Sequence, residues 1–158
     1  MAVVELQLPA LPAHVRTARM VCVTAARRAG LRDEFVDELR LAVGEACARA
    51  VGLHAQHAPA ELVTVRVVDD MLGLTVTVHD CGPEAGPAVD DVAGQLGGTD
   101  HADGEDTPDP DVALAVLDGL VDEVEVTATE GEGTTVTLRW PLPRRLTGGT
   151  PGTVLSAG

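Results

Sequence analysis

Residues 38–54 read ELRLAVGEACARAVGLH, and the spacing of their apolar positions decides how the rest of the chain is organised. Within the longer run Asp33 to His54, the residues Val36, Leu39, Val43, Ala46, Ala50 and Leu53 recur at steps of three and four. That spacing predicts a helix with one apolar stripe. Glu38, Glu45 and Arg49 fall on its other face. Such a stripe needs a surface to cover, and the flanking sequence supplies strands.

Upstream, Val15, Ala18, Cys22 and Ala25 predict a helix from about His14 to Ala29, stopped by Gly30. Before it, Val4, Leu6 and Leu8 alternate with Glu5 and Gln7 in a half-buried strand over residues 3–8, ended by Pro9 and Pro12. Downstream, residues 62–69 (LVTVRVVD) and 72–79 (LGLTVTVH) are β-branched runs of period two, which predict a hairpin through Asp69, Asp70 and Met71. Residues 81–111 are dense in Gly, Pro and Asp, with a weak helical patch around Val89 to Leu96, and predict a long acidic loop. A third helix follows from about Val112 to Val121, then strands over 123–128 and 134–140 around the turn at 130–133. From Pro141 the composition turns Pro/Gly/Thr-rich. The chain thus divides into a domain over 1–140 and a disordered tail over 141–158. The order β-α-α-β-β-loop-α-β-β predicts an α+β two-layer sandwich, a mixed and mainly antiparallel sheet covered on one face by helices.

Composition removes whole classes of chemistry. The 158 residues are 45% apolar, enough for one core, and 25 Asp and Glu against 11 Lys and Arg give a formal charge of -14. Duplex DNA and anionic membranes repel such a surface, and Phe35 and Trp140 are the only aromatics on which bases could stack. The chain has no Lys, so a P-loop, the strand Lys of a eukaryotic-type protein kinase and a Schiff base are excluded. Its one Ser, Ser156, sits in the tail without a nucleophile-elbow context. Cys22, Cys47 and Cys81 form no C-x-x-C pair and read as buried thiols of a reducing compartment. Neither a signal sequence nor an apolar run of bilayer length is present in the residues given, so a cytoplasmic location without membrane contact is expected.

The stretch 38–54 resembles the signature helix of the GHKL superfamily of histidine kinase-like ATPases, which have a Bergerat-type fold. It resembles the version found in anti-sigma regulatory factors that act as serine/threonine kinases on an anti-anti-sigma partner. V-H-D-C-G-P at 78–83 looks like the superfamily's D-x-G motif, and L-V-D-E-V-E-V at 120–126 with G-T-T-V-T-L-R-W at 133–140 looks like its closing elements. The likeness runs from Val3 to Trp140. It implies ATP and Mg²⁺ as cofactors and Glu45 as the catalytic carboxylate that polarises the attacking hydroxyl. It also implies Asp80 as acceptor of the adenine amino group and Gly82 as the residue that leaves room for the base. The partners it implies are a sigma factor and an anti-anti-sigma factor, with a possible homodimer.

Several positions depart from that pattern. Where the signature helix places a metal-binding Asn four residues after the carboxylate, this chain has Arg49, whose guanidinium has donors and no acceptor. No metal of the family kind is expected there. Glu45 and Arg49 stand at i and i+4, the spacing of a helical ion pair. His54 follows Arg49 by five residues instead of the family's four and is assigned no role. D-C-G-P also reads as plain turn chemistry. The Gly-x-Gly that precedes the third helix in the family is replaced by Asp111-Val112-Ala113, close to Asp103, Glu105, Asp106 and Asp109. Two like charges about 4 Å apart repel by roughly 4 kcal/mol at an effective dielectric of 20, so a polyanion is poorly received. The expectation is an anti-sigma-like regulator that binds proteins, with a degenerate ATP site and no bound cofactor. The alternatives are an active kinase with Glu45 as base and a rearranged metal site, and an α+β domain of unrelated function.

Overall fold

The computed structural model describes residues 1–58, 60–82, 110–121, 123–129 and 131–143. The expected acidic loop, apart from its ends, and the expected tail beyond Pro143 lie outside the described residues. The elements run β1 (Ala2–Pro9), α1 (Pro12–Ala29), α2 (Asp33–His57), β2 (Leu62–Asp69), β3 (Leu74–Asp80), α3 (Pro110–Leu120), β4 (Val124–Thr129) and β5 (Gly133–Trp140).

The strands form one sheet in the order β1-β2-β3-β5-β4, and every pairing is antiparallel. The expected mixed sheet is therefore corrected to an antiparallel one among the described strands. Two of the pairings are hairpins, β2–β3 and β4–β5, which admit no other sense. The other two join β1 to β2 and β3 to β5 across helical connections. Because side chains alternate, one face gathers the apolar rows. Leu6, Val65, Val78, Val136 and Val126 form one cross-strand row, and Val4, Val67, Val76, Leu138 and Val124 the next. The central members are buried.

The helices cover that face. α1 stops where Gly30 takes a left-handed conformation (φ 92°) and donates its N–H to the carbonyls of Ala26 and Arg27. α2 runs three residues past the expected His54, to His57. It lies between α1 and α3 with β3 beneath, so its burial is not confined to one stripe. β3 begins at Leu74 instead of Leu72, because the Asp70 carboxylate accepts the N–H groups of Leu72 (2.7 Å) and Gly73 (3.2 Å) and holds both in the turn. At the far end of the sheet, the Trp140 indole donates to Glu38 Oε1 at 2.7 Å and ties β5 to α2. No helix among the described residues is long and apolar enough to cross a membrane.

Candidate functional site

The site lies where the end of β3 meets the middle of α2. Asp80 is the last residue of β3 and pairs with Thr134 of β5. Close approach of the two strands here depends on Gly133 (φ 94°), since a Cβ at that position would overlap the Asp80 carbonyl. Beyond Asp80 the chain turns. Gly82 donates its N–H to Asp80 Oδ1 at 3.0 Å, and a Cβ on Gly82 would stand 3.0 Å from Leu53 Cβ and 3.1 Å from that same Oδ1. Asp80 and Gly82, picked out together in the D-x-G motif, are thus joined in one turn packed on α2.

The second Asp80 oxygen is taken by Arg49. Its Nη1 donates to Asp80 Oδ2 at 2.7 Å, and each side chain is only 1% exposed. The helical pair that the spacing of Glu45 and Arg49 allows is not formed among the described residues. Arg49 points inward from α2 because the sheet and the flanking helices enclose that part of the helix, and Asp80 is the carboxylate that balances its charge. The balance is incomplete. Arg49 Nε and Nη2 are buried with no partner among the described residues. These two atoms form one edge of the guanidinium, so the unused donors make a single fork. Glu45, one turn earlier, is half-buried and takes part in no ion pair among the described residues.

His54 is a correction. The sequence assigned it no role, yet it is fully buried and holds the turn in place. Its Nε2 lies 2.7 Å from the Cys81 N–H, which is a donor, so Nε2 accepts and the ring proton sits on Nδ1. Nδ1–H then donates to the Glu61 carbonyl at 3.1 Å. One imidazole thereby links α2, the start of β2 and the end of β3. The expectation of three buried thiols holds for Cys22 and Cys47 and fails for Cys81, which is exposed. Burial pushes the Cys22 and Cys47 thiols up to about 12. Cys81 is also raised, by desolvation first and then by Glu61 and Asp80, so it is not an activated nucleophile despite lying 4.0 Å from His79 Nε2.

Asp111, Val112 and Ala113 lie inside α3, and Ala113 is packed into the body at 1% exposure. The segment that stands where the family has its Gly-x-Gly is therefore helical from Pro110, two residues before the expected start at Val112. Asp103, Glu105, Asp106 and Asp109 lie outside the described residues. Among the described residues no group of three or more His, Cys, Asp or Glu is arranged to hold a metal ion.

Two connections escaped the sequence reading, Arg49 with Asp80 and His54 with Cys81. A signal for the first was present. From Ala46 to Leu53 (ACARAVGL) Arg49 is the only charged residue in a run of small and apolar ones, a pattern that marks a helix buried all round and obliges its arginine to find a buried partner.

Residues 8–140 match the family described as Histidine kinase-like ATPase domain. No curated protein matches the chain. Among solved structures, the chain is similar to the RsbU and RsbW domains of Rv1364c from Mycobacterium tuberculosis, with a TM-score of 0.61 at 20% identity. The match covers 91% of this chain and 33% of that one, so the chain spans about a third of the solved protein's length, and at that identity the likeness speaks for the fold. The match to the family model takes in every described element from the end of β1 to β5, and by it the chain belongs to the histidine kinase-like ATPase domain family.

Proposed function

We propose that this protein is an anti-sigma-type regulator that works by binding partner proteins, and that its nucleotide site is closed by its own arginine. The observation that carries this reading is the Arg49–Asp80 pair, 2.7 Å long with both partners 1% exposed. In the nucleotide-binding pattern that the sequence resembles, this carboxylate accepts the adenine amino group. Here one oxygen holds Gly82 N–H and the other holds Arg49, so a base would compete with two donors already in place. The residues fit Mg²⁺ no better, since Arg49 stands in the metal-binding position and offers no acceptor. ATP and Mg²⁺ therefore do not fit the site. The membership in the histidine kinase-like ATPase family, the RsbW-containing fold neighbour and the motif resemblance support a sigma factor and an anti-anti-sigma factor as partners, a homodimeric state and a cytoplasmic location.

The rival reading is a working kinase in which Glu45, half-buried and without an ion-pair partner among the described residues, acts as base. Calorimetric titration with ATP and Mg²⁺ separates the two. The proposal expects no heat of binding from the unmodified protein, and binding gained by Arg49→Asn, which frees Asp80 and restores an amide acceptor. Micromolar binding by the unmodified protein would overturn it.

A further inference from the structure

One helix of this acidic chain is basic. α1 carries Arg16, Arg19, Arg27 and Arg28 and contains no Asp or Glu, in a protein of formal charge -14. Arg16, Arg19, Met20, Val23 and Arg27 sit at i, i+3, i+4, i+7 and i+11, which places them on one stripe of the helix. With Arg40 of α2 this stripe lines a groove of about 540 Å³ between the two helices. Met20 is 62% exposed in it, and Val23 forms part of the floor.

The groove is built, not incidental. Arg19 lies across α2 exactly where Gly44 lacks a side chain, and a Cβ on Gly44 would stand 3.0 Å from Arg19 Cδ. The arginine stem is thereby seated between the helices. Among the described residues Arg16, Arg19 and Arg27 form no ion pair, while Arg40 reaches only the exposed Asp37 at 3.2 Å. Uncompensated like charges gathered along one groove repel one another, and an anionic occupant removes that repulsion.

We infer that this groove docks an acidic amphipathic helix of a partner protein, with apolar residues against Met20 and Val23 and carboxylates on the flanking arginines. An apolar centre rimmed by Arg, with Met exposed, has the composition of a protein-binding surface. The guanidinium fork matches a carboxylate in two hydrogen bonds. Nucleic acid is the poorer occupant, because the rest of the surface repels a long polyanion. This partner is opposite in sign to one that the chain's acidic regions attract, and the inference holds whether or not nucleotide binds.

The probe is a fluorescein-labelled amphipathic peptide with Leu along one face and Glu along its edges, titrated with the full chain and followed by anisotropy. Binding is expected to weaken about tenfold in Arg16→Gln/Arg27→Gln, and to weaken also as salt rises from about 0.1 to 0.5 M. Both residues are exposed, so an unchanged melting temperature certifies that the variant is folded. Three peptide results overturn the inference: no binding, equal binding by the variant, and equally tight binding of a single-stranded oligonucleotide of the same charge. Sedimentation supplies a fourth, a wild-type dimer that the double substitution dissociates, because a second copy would then fill the groove.

Discussion

Two arginines of this protein make the same bond in opposite surroundings. Arg49 donates to Asp80 at 2.7 Å with both side chains 1% exposed, and Arg139 donates to Glu125 at 2.9 Å with side chains 39% and 57% exposed. The lengths are nearly equal, so distance does not separate them. Water does. The exposed pair sits in a high dielectric and is screened by salt, which limits such pairs to about 0.2–1 kcal/mol. The buried pair has lost its hydration, recovers one ion-pair hydrogen bond, and leaves Nε and Nη2 without partners. A charge so placed is costly to leave alone. A buried pair is therefore weak grounds for stability as a whole, but strong grounds for the interdependence of its two members.

The largest effect follows from that interdependence. Arg49→Ala strands the Asp80 carboxylate and is expected to lower stability by about 3–5 kcal/mol in urea denaturation. Arg49→Met combined with Asp80→Leu removes both charges and is expected to recover most or all of the loss. A double variant as unstable as the single one would show that the pair is not the source of the cost, and the contrast with Arg139 would collapse.

The dry interior makes a second prediction through pH, smaller for each buried group taken singly. Cys22 and Cys47 are held at about 12 in the folded chain against an ordinary 9.0. Burial disfavours the thiolate, so the stabilising contribution is complete below pH 9 and is lost as pH rises toward 12. At pH 11 the loss is about 3 kcal/mol per thiol. The chain has no Lys and no Tyr, which leaves the thiols as the side chains that ordinarily titrate in this window. Urea midpoints measured from pH 8 to 11 should fall steeply for the wild type and stay nearly flat for Cys22→Ala/Cys47→Ala. Parallel curves would mean that water reaches these sites.

The smallest effect belongs to the exposed pair. Arg139→Ala is expected to change stability by less than about 1 kcal/mol, and by still less in high salt. A loss comparable to that of Arg49→Ala would break the comparison from its other side.

Most of the secondary structure was legible because it obeys local rules. β1 and β2 follow a period of two, α1 closes at Gly30, and both closing strands flank a glycine-bearing turn. The exceptions have local causes of a finer kind. β3 starts two residues late because the Asp70 carboxylate captures two backbone N–H groups of the turn. The candidate site was legible as two separate local groups. Asp80 and Gly82 share a motif, and one turn contains both. Glu45 and Arg49 share a helix face, yet the pairing that their spacing suggested is absent.

Periodicity and composition by themselves determined that the chain makes a sheet covered by helices, that it has no lysine chemistry, and that a strand ends next to Asp80. Those properties depend on neighbours within a few residues, where backbone geometry fixes what meets what. Only the tertiary structure decided where Arg49 and His54 direct their polar atoms. Arg49 reaches across 31 positions to Asp80, and His54 across 27 to the Cys81 N–H. The reason is burial. The later turns of α2 are enclosed by two helices and a sheet, water is not available to Arg49 and His54, and each must take the partner that the packing of distant segments brings within reach.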